Sequence, residues 1–488
     1  MTLLNRLSNK TLAHIDKEVV STPSYDRAAL PVRIVHIGPG AFHRAHQADV
    51  FDRLNEFDPH WGICGVSLRS AGVHDALAPQ DGLYTLALLD KKVKFRVVGA
   101  LKEVLTGDDP LVLERMSAPD TRIITMTVTE KGYCLNTHGE LDFSHADIAH
   151  DVARPETPIS LIGWLVQALA ERMKTGAGGL NIISCDNQPN NGEKLKTAVL
   201  LLAGKRDGDL ANWISKTCHF PTTMVDSITP ATDDALREVV SDALSLEDAW
   251  PIQREAFTFW AISNDVSDDF PDLAKVGVVM TDDVAAFETM KLRLLNGAHS
   301  TLAYLGLAYG HETVARAMQD HDLRRFIHEM MDMEIAPSLQ APKGMELDEY
   351  IEALIDRFLN PALAHQLSQI AWDGSQKLPI RLLATIQDNL DAGRGIQRLA
   401  IGIAAWMRFV RRTGLAGEKL IDPIAETLLA LSEKMTDNAV QDVDLMLRQT
   451  GVFPQSLIEN PTFQDAVGEG YRFVLRREIS IGAGTHAI

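Results

Sequence analysis

The sequence predicts an α/β protein in which a doubly wound, mostly parallel sheet is followed by a mainly α-helical region. Three observations support this prediction. Short apolar runs rich in β-branched residues alternate with longer segments between residues 33 and 281. The first of these runs ends in a Gly-x-Gly turn. After about residue 283, strand-like runs become scarce and helical periodicity replaces them.

The alternating region supplies the predicted strands, at residues 33–37, 63–68, 95–98, 122–128, 180–184 and 276–280. A helix is predicted at 160–173, because Leu161, Leu165, Leu169 and Met173 recur every four residues and form one apolar face. Strands that alternate with such helices pack as a mostly parallel sheet.

Beyond residue 283 the predicted helices follow one another directly, at residues 287–307, 322–336, 347–358, 380–390, 396–411, 423–435 and 461–474. A chain of 488 residues is also too long for one compact core. We therefore predict two domains, 1–283 and 284–488.

The composition excludes several classes of protein. With 45% hydrophobic and 23% charged residues the chain is globular, and its net charge of −19 disfavours binding to nucleic acid or to anionic membranes. The four cysteines form no C-x-x-C pair, so neither a zinc ribbon nor a disulfide scaffold is indicated. No signal peptide or membrane span is predicted. We expect a cytoplasmic monomer or small homo-oligomer.

The turn after the first strand has the chemistry of a phosphate site. Gly38 and Gly40 stand between an apolar strand and a predicted helix, where glycine lets a pyrophosphate approach the helix N-terminus. The residues that begin this helix are Ala41, Phe42, His43 and Arg44. His43 takes the place of the third glycine of G-x-G-x-x-G, so a tight turn without a ligand is the alternative. The context favours a Rossmann-type dinucleotide site.

The second predicted strand bears on the choice of cofactor. An acidic residue at its end would bind the ribose 2′-OH of NAD, but the chain has Ser-Leu-Arg-Ser at 67–70. Arg69 suits the 2′-phosphate of NADP, and a solvated surface arginine is the other interpretation. NAD is the expected cofactor, and NADP stays open.

Three polar segments have the residue types of a carbonyl–alcohol site. Asn187 closes the segment SCDN at the end of a predicted strand, where doubly wound sheets bind ligands. Lys291, His299 and Asn296 begin the helical domain, and an α-helix would place them at about 0°, 80° and 140° around its axis. The loop DGSQKLPIR at 373–381 adds cations. Solvated lysines, a packed histidine and a turn asparagine are the alternatives.

The chemistry needs a proton acceptor near the alcohol and donors where charge develops on oxygen. A lysine amine that is removed from water can have its pKa lowered towards neutrality and serve as base in oxidation or acid in reduction, and Lys291 is the candidate for this role. Amide N–H groups of Asn187 and Asn296 would stabilise the oxyanion in place of a metal. His299 would hold a substrate hydroxyl or carbonyl.

Six ordered motifs resemble the long-chain polyol and uronate dehydrogenase family over nearly the whole chain. They are GPGAFHRAHQ at 38–47, TVTEKGY at 127–133, SCDN at 184–187, MVD at 224–226, KLRLLNGAH at 291–299 and DGSQKLP at 373–379. The resemblance implies a Rossmann-type N-terminal domain, a helical C-terminal domain, an interdomain active site and no catalytic metal.

The resemblance also implies residue roles. It makes Lys291 the acid/base, Asn187 and Asn296 the oxyanion hole, and His299 and Lys377 substrate-positioning groups. It further places Glu130 beside the lysine as a proton relay and Asp226 on the cofactor side of the pocket.

Within the family, Gln369 and the segment QKLP with Arg381 resemble the D-mannonate oxidoreductase (fructuronate reductase) branch. Arg381 offers a bidentate fork to a uronate carboxylate, so D-mannonate/D-fructuronate is the expected substrate pair. A polyol 2-dehydrogenase acting on mannitol, arabinitol or sorbitol is the alternative, and a catalytically inactive NAD-binding regulatory protein is a hypothesis from another class. The segment REAFTFW at 254–260 departs from the family pattern and leaves the substrate open.

Overall fold

The computed structural model describes residues 5–90, 92–136 and 138–482. The chain divides into two compact units, Met1–Ala285 and Ala286–Ile488. The first unit contains the β-sheets and the second is built from helices. This agrees with the predicted fold class, a doubly wound N-terminal region followed by a helical one.

The strands of the first unit fall into three sheets. In chain order they are β1 Val20–Ser21, β2 Val32–Ile37, β3 Gly62–Ser67, β4 Tyr84–Leu89, β5 Lys94–Val98, β6 Leu101–Thr106, β7 Ile123–Met126, β8 Asn181–Ser184, β9 Thr223–Asp226, β10 Ile252–Glu255, β11 Phe259–Ser263 and β12 Val279–Thr281.

The central sheet has five parallel strands in the order β6-β3-β2-β7-β8. Successive residues of its strands enter two separate apolar cores, since Ile34 and Ile63 belong to one core and Val35 and Cys64 to the other. Both faces are therefore covered, as parallel sheets require. The chain runs outwards from β2 and returns at β7, so the topological switch point, where such sheets bind ligands, lies between these strands.

Two smaller sheets flank the parallel one. One has the order β1-β5-β4-β10 and the other β12-β11-β9, and each mixes parallel and antiparallel pairs. The predicted strand at 95–98 belongs to the first of these and not to the doubly wound sheet. The predicted strand at 276–280 begins later, at Val279, after a 3₁₀ turn at Leu273–Val276.

The helices of the first unit cover or connect these sheets. They are Ala41–Ala45, Gln47–Asn55, Gly72–Leu77, Leu111–Ser117, Ala146–Ala153, Leu161–Thr175, Asn191–Arg206, Gly208–Thr217 and Asp234–Leu244, with further 3₁₀ turns at Leu12–His14, Ala78–Gln80 and Glu130–Tyr133. The predicted amphipathic helix is confirmed as Leu161–Thr175. The hydroxyl of Ser160 caps its N-terminus by accepting from the N–H of Gly163, and Gly176 ends it at φ +73°.

The helical unit follows a helix, Val284–Met290, that crosses the division between the units. Its α-helices are Gly297–Ala308, Val314–Gln319, His321–Met330, Leu347–Leu359, Leu367–Ile370, Gly374–Leu378, Ala384–Asp391, Gln397–Leu415, Ala425–Ser432, Ala439–Gln449, Gln455–Ile458 and Pro461–Gly482. Three π-helical segments, Lys291–Asn296, Met331–Ile335 and Pro379–Leu383, interrupt them, and 3₁₀ turns lie at Ala336–Ser338 and Pro361–Leu363.

The long helices Gln397–Leu415 and Pro461–Gly482 pack side by side. Gly470 allows their close approach, because a Cβ at this position would lie 3.0 Å from Cα of Ile401. None of the helices in the described ranges combines the length and the apolar character needed to cross a membrane.

Candidate active site

The glycine turn after β2 has a geometry that only glycine permits at its first position. Gly38 has φ +85°, and a Cβ there would lie 2.3 Å from the carbonyl oxygen of Thr127. The N–H of Gly38 donates to the oxygen of Val66 at 2.9 Å, and the hydroxyl of Thr127 donates to the oxygen of Gly38 at 2.8 Å. The turn is therefore held between β3 and the end of β7, at the switch point.

Gly40 leaves the other side of the turn open. A Cβ there would meet only the oxygen of Gly38, at 3.9 Å, so the backbone is accessible to a ligand. Gly40 precedes the helix Ala41–Ala45, whose first N–H groups have no partner within the helix. The turn thus fits the pyrophosphate of a dinucleotide, which binds where backbone N–H groups and a helix N-terminus meet.

The side chains that follow the turn point into the first unit. Phe42 is half-buried and stacks on His46, with ring centroids 5.2 Å apart. The Arg44 side chain is fully buried and donates to the oxygen of Trp250 at 2.7 Å. Burial lowers the pKa of Arg44 to about 10. This placement does not support the predicted contact of Arg44 with the cofactor, because its guanidinium bonds to the carbonyl of Trp250 in the protein interior.

Polar groups gather at the carboxyl ends of β7 and β8. The hydroxyl of Tyr133 donates to Asp186 at 2.5 Å and lies 2.6 Å from Oγ of Ser184. Burial raises the pKa of Asp186 to about 6, against the opposing effect of this hydrogen bond. Asn187 and Glu130 are exposed at the same edge of the sheet. The structure therefore brings both predicted residues to the edge that carries the glycine turn.

Asp226 and Arg69 lie at or just after the ends of two other strands of the first unit. Asp226 is buried and ends β9, which belongs to the sheet β12-β11-β9. Arg69 follows β3, is largely exposed, and pairs with Asp147 at 2.5 Å.

Cys134, His145 and Asp147 place possible metal-ligating atoms within 4.8 Å of one another. These contacts have an ordinary explanation, however, since Asp147 pairs with Arg69 and its own N–H donates to Nδ1 of His145 at the start of helix Ala146–Ala153.

In the helical unit, Lys291 and Asn296 are the first and last residues of a π segment. Residues five apart share a face in the i→i+5 turn of a π-helix, so the angles expected from a regular α-helix are wrong here. The Lys291 side chain is buried, with 7% of its surface exposed. The segment contacts a second π segment, Pro379–Leu383, and Gly297 permits the contact because a Cβ there would lie 3.0 Å from the oxygen of Arg381.

His299 lies one turn beyond and is buried beside other basic side chains. Its ring stacks on Phe358 with centroids 4.4 Å apart and meets His365 edge-on at 5.5 Å. Burial lowers the pKa of His299 well below its usual value, and the charges of His365, Arg357 and Arg381 lower it further. Nε2 of His299 and Nδ1 of His365 are buried without a hydrogen-bond partner in the described chain.

Arg381 is held beside the π segment. Its Nη1 donates to Oγ of Ser300 at 3.0 Å and, more weakly, to the oxygen of Asn296 at 3.4 Å. Its Nε is buried and unpartnered among the described residues, and burial lowers the pKa of Arg381. Within the described chain no carboxylate forms an ion pair with this guanidinium.

The other predicted substrate residues are less enclosed. Nζ of Lys377 donates to the oxygen of Ile370 at 3.3 Å, and burial followed by the charge of Arg381 lowers the pKa of this lysine. Gln369 is exposed. Each unit thus contains one set of neighbouring polar groups. The set in the first unit lies near the glycine turn, and the set in the helical unit lies along the π segments Lys291–Asn296 and Pro379–Leu383.

The sequence did not single out several residues that the geometry brings to these sets: Tyr133, Asp186, Ser300, Arg357 and His365. A signal was present for Asp186, which precedes Asn187 at the strand end. His365 gave no signal, because its contact with His299 depends on tertiary packing.

The departure at 254–257 also has a structural explanation. Arg254 is buried and pairs with the buried Asp49 at 2.9 Å. Its Nη1 donates to the oxygens of Glu255 and Ala256 at 3.1 and 3.2 Å. Here an internal ion pair fixes the segment that follows β10.

Comparison with known proteins identifies related family models for both halves of the chain. Residues 32–275 match the family model described as the mannitol dehydrogenase Rossmann domain, and residues 283–475 match the mannitol dehydrogenase C-terminal domain. The chain belongs to the mannitol dehydrogenase family. It is therefore an oxidoreductase of the family that acts on polyols and sugar acids, with a Rossmann domain for a nicotinamide cofactor.

Three relatives illustrate the range of this family. D-mannonate oxidoreductase of Escherichia coli is 39% identical over 469 residues, which cover 94% of this chain and 96% of that protein. The crystal structure of a D-sorbitol dehydrogenase in substrate-free form is 32% identical, with a TM-score of 0.88 and coverage of 98% and 99%. Pseudomonas fluorescens mannitol 2-dehydrogenase, solved with NAD and D-mannitol, is 33% identical, with a TM-score of 0.80 and the same coverage.

Proposed function

We propose that the chain is an NAD-dependent dehydrogenase that interconverts D-mannonate and D-fructuronate. The observation that carries this proposal is Arg381, a cation held beside Asn296 without an ion pair in the described chain. A positive charge that is partly removed from water is costly unless a negative group compensates it, so the site favours an anionic substrate. A neutral polyol would leave this charge uncompensated.

The proton is assigned to Lys291. In the direction of oxidation, its neutral amine takes the hydroxyl proton while the C–H hydrogen leaves with its electron pair, so that the alcohol becomes a ketone. The bound cofactor supplies the hydride acceptor or donor. The side-chain amides of Asn187 and Asn296 donate to the oxygen as it gains negative charge, and Glu130 relays the proton.

His299 and Lys377 are assigned to the substrate hydroxyls. Because burial lowers its pKa, His299 is neutral near pH 7 and offers one donor and one acceptor. Arg381 takes the carboxylate, with Gln369 in a supporting contact. The charged Arg381 is thus matched to the charged carboxylate, and the neutral His299 is matched to a neutral hydroxyl.

Of the two alternatives, one is supported by the comparison with solved structures. The likeness to sorbitol and mannitol dehydrogenases supports a polyol 2-dehydrogenase that converts mannitol, arabinitol or sorbitol to a ketose. A catalytically inactive NAD-binding protein is disfavoured, because a protein that only bound NAD would not need Lys291, Asn187, Asn296 and His299 together.

The cofactor is proposed to be NAD, held at Gly38, Gly40 and the helix that follows, with Asp226 on the same side. Arg69 is engaged by Asp147, which makes it less available to a 2′-phosphate, although an exposed pair of this kind is weak. NADP therefore remains an outcome of the test. All four cysteines are free thiols, which supports a reducing compartment such as the cytoplasm.

The test is a substrate panel with the purified protein. D-mannonate, mannitol, arabinitol and sorbitol are each offered with NAD and with NADP, and absorbance of the reduced cofactor is followed. The proposal predicts the highest kcat/KM for mannonate with NAD. A higher kcat/KM for mannitol would establish the polyol alternative, and no turnover of any substrate, with NADH still bound, would favour the inactive protein.

A further inference from the structure

Two fully buried histidine rings lie directly beneath the glycine turn. His36 is the penultimate residue of β2, and His43 lies in the helix that begins after Gly40. Their ring centroids are 3.3 Å apart with an interplanar angle of 13°, and neither side chain is exposed. The stack therefore joins the strand to the first turn of the helix at the place where the cofactor phosphates would bind.

Hydrogen bonds fix the tautomer of His36. The hydroxyl of Thr127 donates to the oxygen of Gly38, so its oxygen accepts from Nε2–H of His36 at 3.0 Å. Nδ1 is then the acceptor, and the hydroxyl of Thr125 donates to it at 2.7 Å. Burial lowers the pKa of His36 to about 3, so the ring is neutral. The neutral ring thereby connects the loop after β7 to the carbonyl of the glycine turn.

The position of His43 explains why the turn tolerates a missing glycine. The third glycine of a dinucleotide motif serves close packing of the helix against the strand. Here a flat ring occupies that position, turned inward and stacked on His36. Burial lowers the pKa of His43 well below its usual value, and the neighbouring His36 and Arg44 act in the same direction. Two neutral rings can therefore stack without charge repulsion.

We propose that His36 and His43 are positioning residues for the dinucleotide. Their stack sets the distance between the helix and β2, and the bonds of His36 hold the Gly38 carbonyl, so the open face of Gly40 keeps the orientation that phosphates require. The inference rests on the proposed function only in taking a nicotinamide dinucleotide as the ligand of this turn.

The experiment measures the Kd of NADH by calorimetry, without sugar substrate. His43→Gly restores the usual third glycine but removes the stack, and we expect its Kd to rise at least about tenfold, since small misplacements of binding groups are costly. His43→Phe keeps a flat ring, and its Kd should stay within about threefold of wild type. In steady-state assays the KM for NADH should rise in His43→Gly, while the KM for the sugar substrate should not.

Two further variants keep the test decisive. Leu169→Ala removes a buried side chain from helix Leu161–Thr175, so it should lower the unfolding temperature and leave the Kd unchanged. Thr125→Val removes the hydrogen bond to Nδ1 of His36 at nearly constant volume, and it should raise the Kd about threefold or more even if His43→Gly does not fold.

Unchanged NADH affinity in His43→Gly or in Thr125→Val would overturn the inference, as would an equal loss of affinity in Leu169→Ala. Failure of the wild-type chain to bind any nicotinamide dinucleotide would instead overturn the proposed function. The two failures are therefore distinguishable in one set of titrations.

Discussion

Replacement of Arg381 by alanine should discriminate between acidic and neutral substrates. A charge-assisted hydrogen bond to a carboxylate contributes about 1.5–3 kcal/mol, so kcat/KM for mannonate should fall roughly 10- to 150-fold. The bond from Nη1 to Ser300 Oγ at 3.0 Å affects any substrate through the placement of the π segment. Its loss should lower kcat/KM for both substrates by a common factor, so the loss on mannonate should exceed the loss on mannitol.

The assay compares kcat/KM for mannonate and mannitol with NAD in wild type, Arg381→Ala and Arg381→Gln. The glutamine variant keeps a donor for Ser300 and removes the charge, so it isolates the carboxylate contribution. Its mannonate activity should fall while its mannitol activity stays near wild type. Equal losses on both substrates in both variants would refute the assignment of Arg381 to a carboxylate.

Two further predictions concern the first unit. Gly38→Ala should lower the free energy of unfolding by about 2–5 kcal/mol, because of the left-handed backbone conformation and the overlap with Thr127 O, and it should abolish NADH binding. Gly176→Ala is the control, since Gly176 has φ +73° but no atom within 4 Å of the added Cβ. Thermal unfolding of this control should show only the smaller loss that comes from the left-handed conformation. Asp186 has its folded pKa raised from 3.8 to about 6, so the native state holds this proton more tightly and stability should fall by up to about 3 kcal/mol as pH rises from 4 to 6. Asp186→Asn should remove this fall in unfolding scans across that range, and an unaltered pH dependence would contradict the shift.

The features predicted correctly from the sequence are mostly local ones. Three predicted features are found in the structure: strand β2, the Gly-x-Gly turn after it and the helix Leu161–Thr175. Each of them depends on residues that are close in the chain. The strand at 95–98 is predicted correctly but belongs to a different sheet, because periodicity does not identify a strand's partner. The sequence does not predict β6, because Lys102 and Glu103 interrupt its apolar run.

The features that escaped prediction depend on contacts between distant residues. Arg44 has the position of a phosphate ligand, but its guanidinium bonds to Trp250, 206 residues away. The π segment at Lys291 has the same apolar spacing as an α-helix, and its contact with Pro379–Leu383 could not be inferred. The sequence thus shows which charged residues are present, such as Arg44 and Lys291. It does not show which distant residues surround them, because the fold determines those contacts.

The assignment of Lys291 as the acid/base group is tested most directly by the turnover of Lys291→Ala at saturating NAD. General acid–base catalysis contributes about 10²–10⁴-fold, so kcat near neutral pH should fall by at least about 100-fold while the Kd of NADH, measured by calorimetry, stays within a factor of about two. Turnover close to that of wild type would contradict the account, because a different group would then be moving the proton.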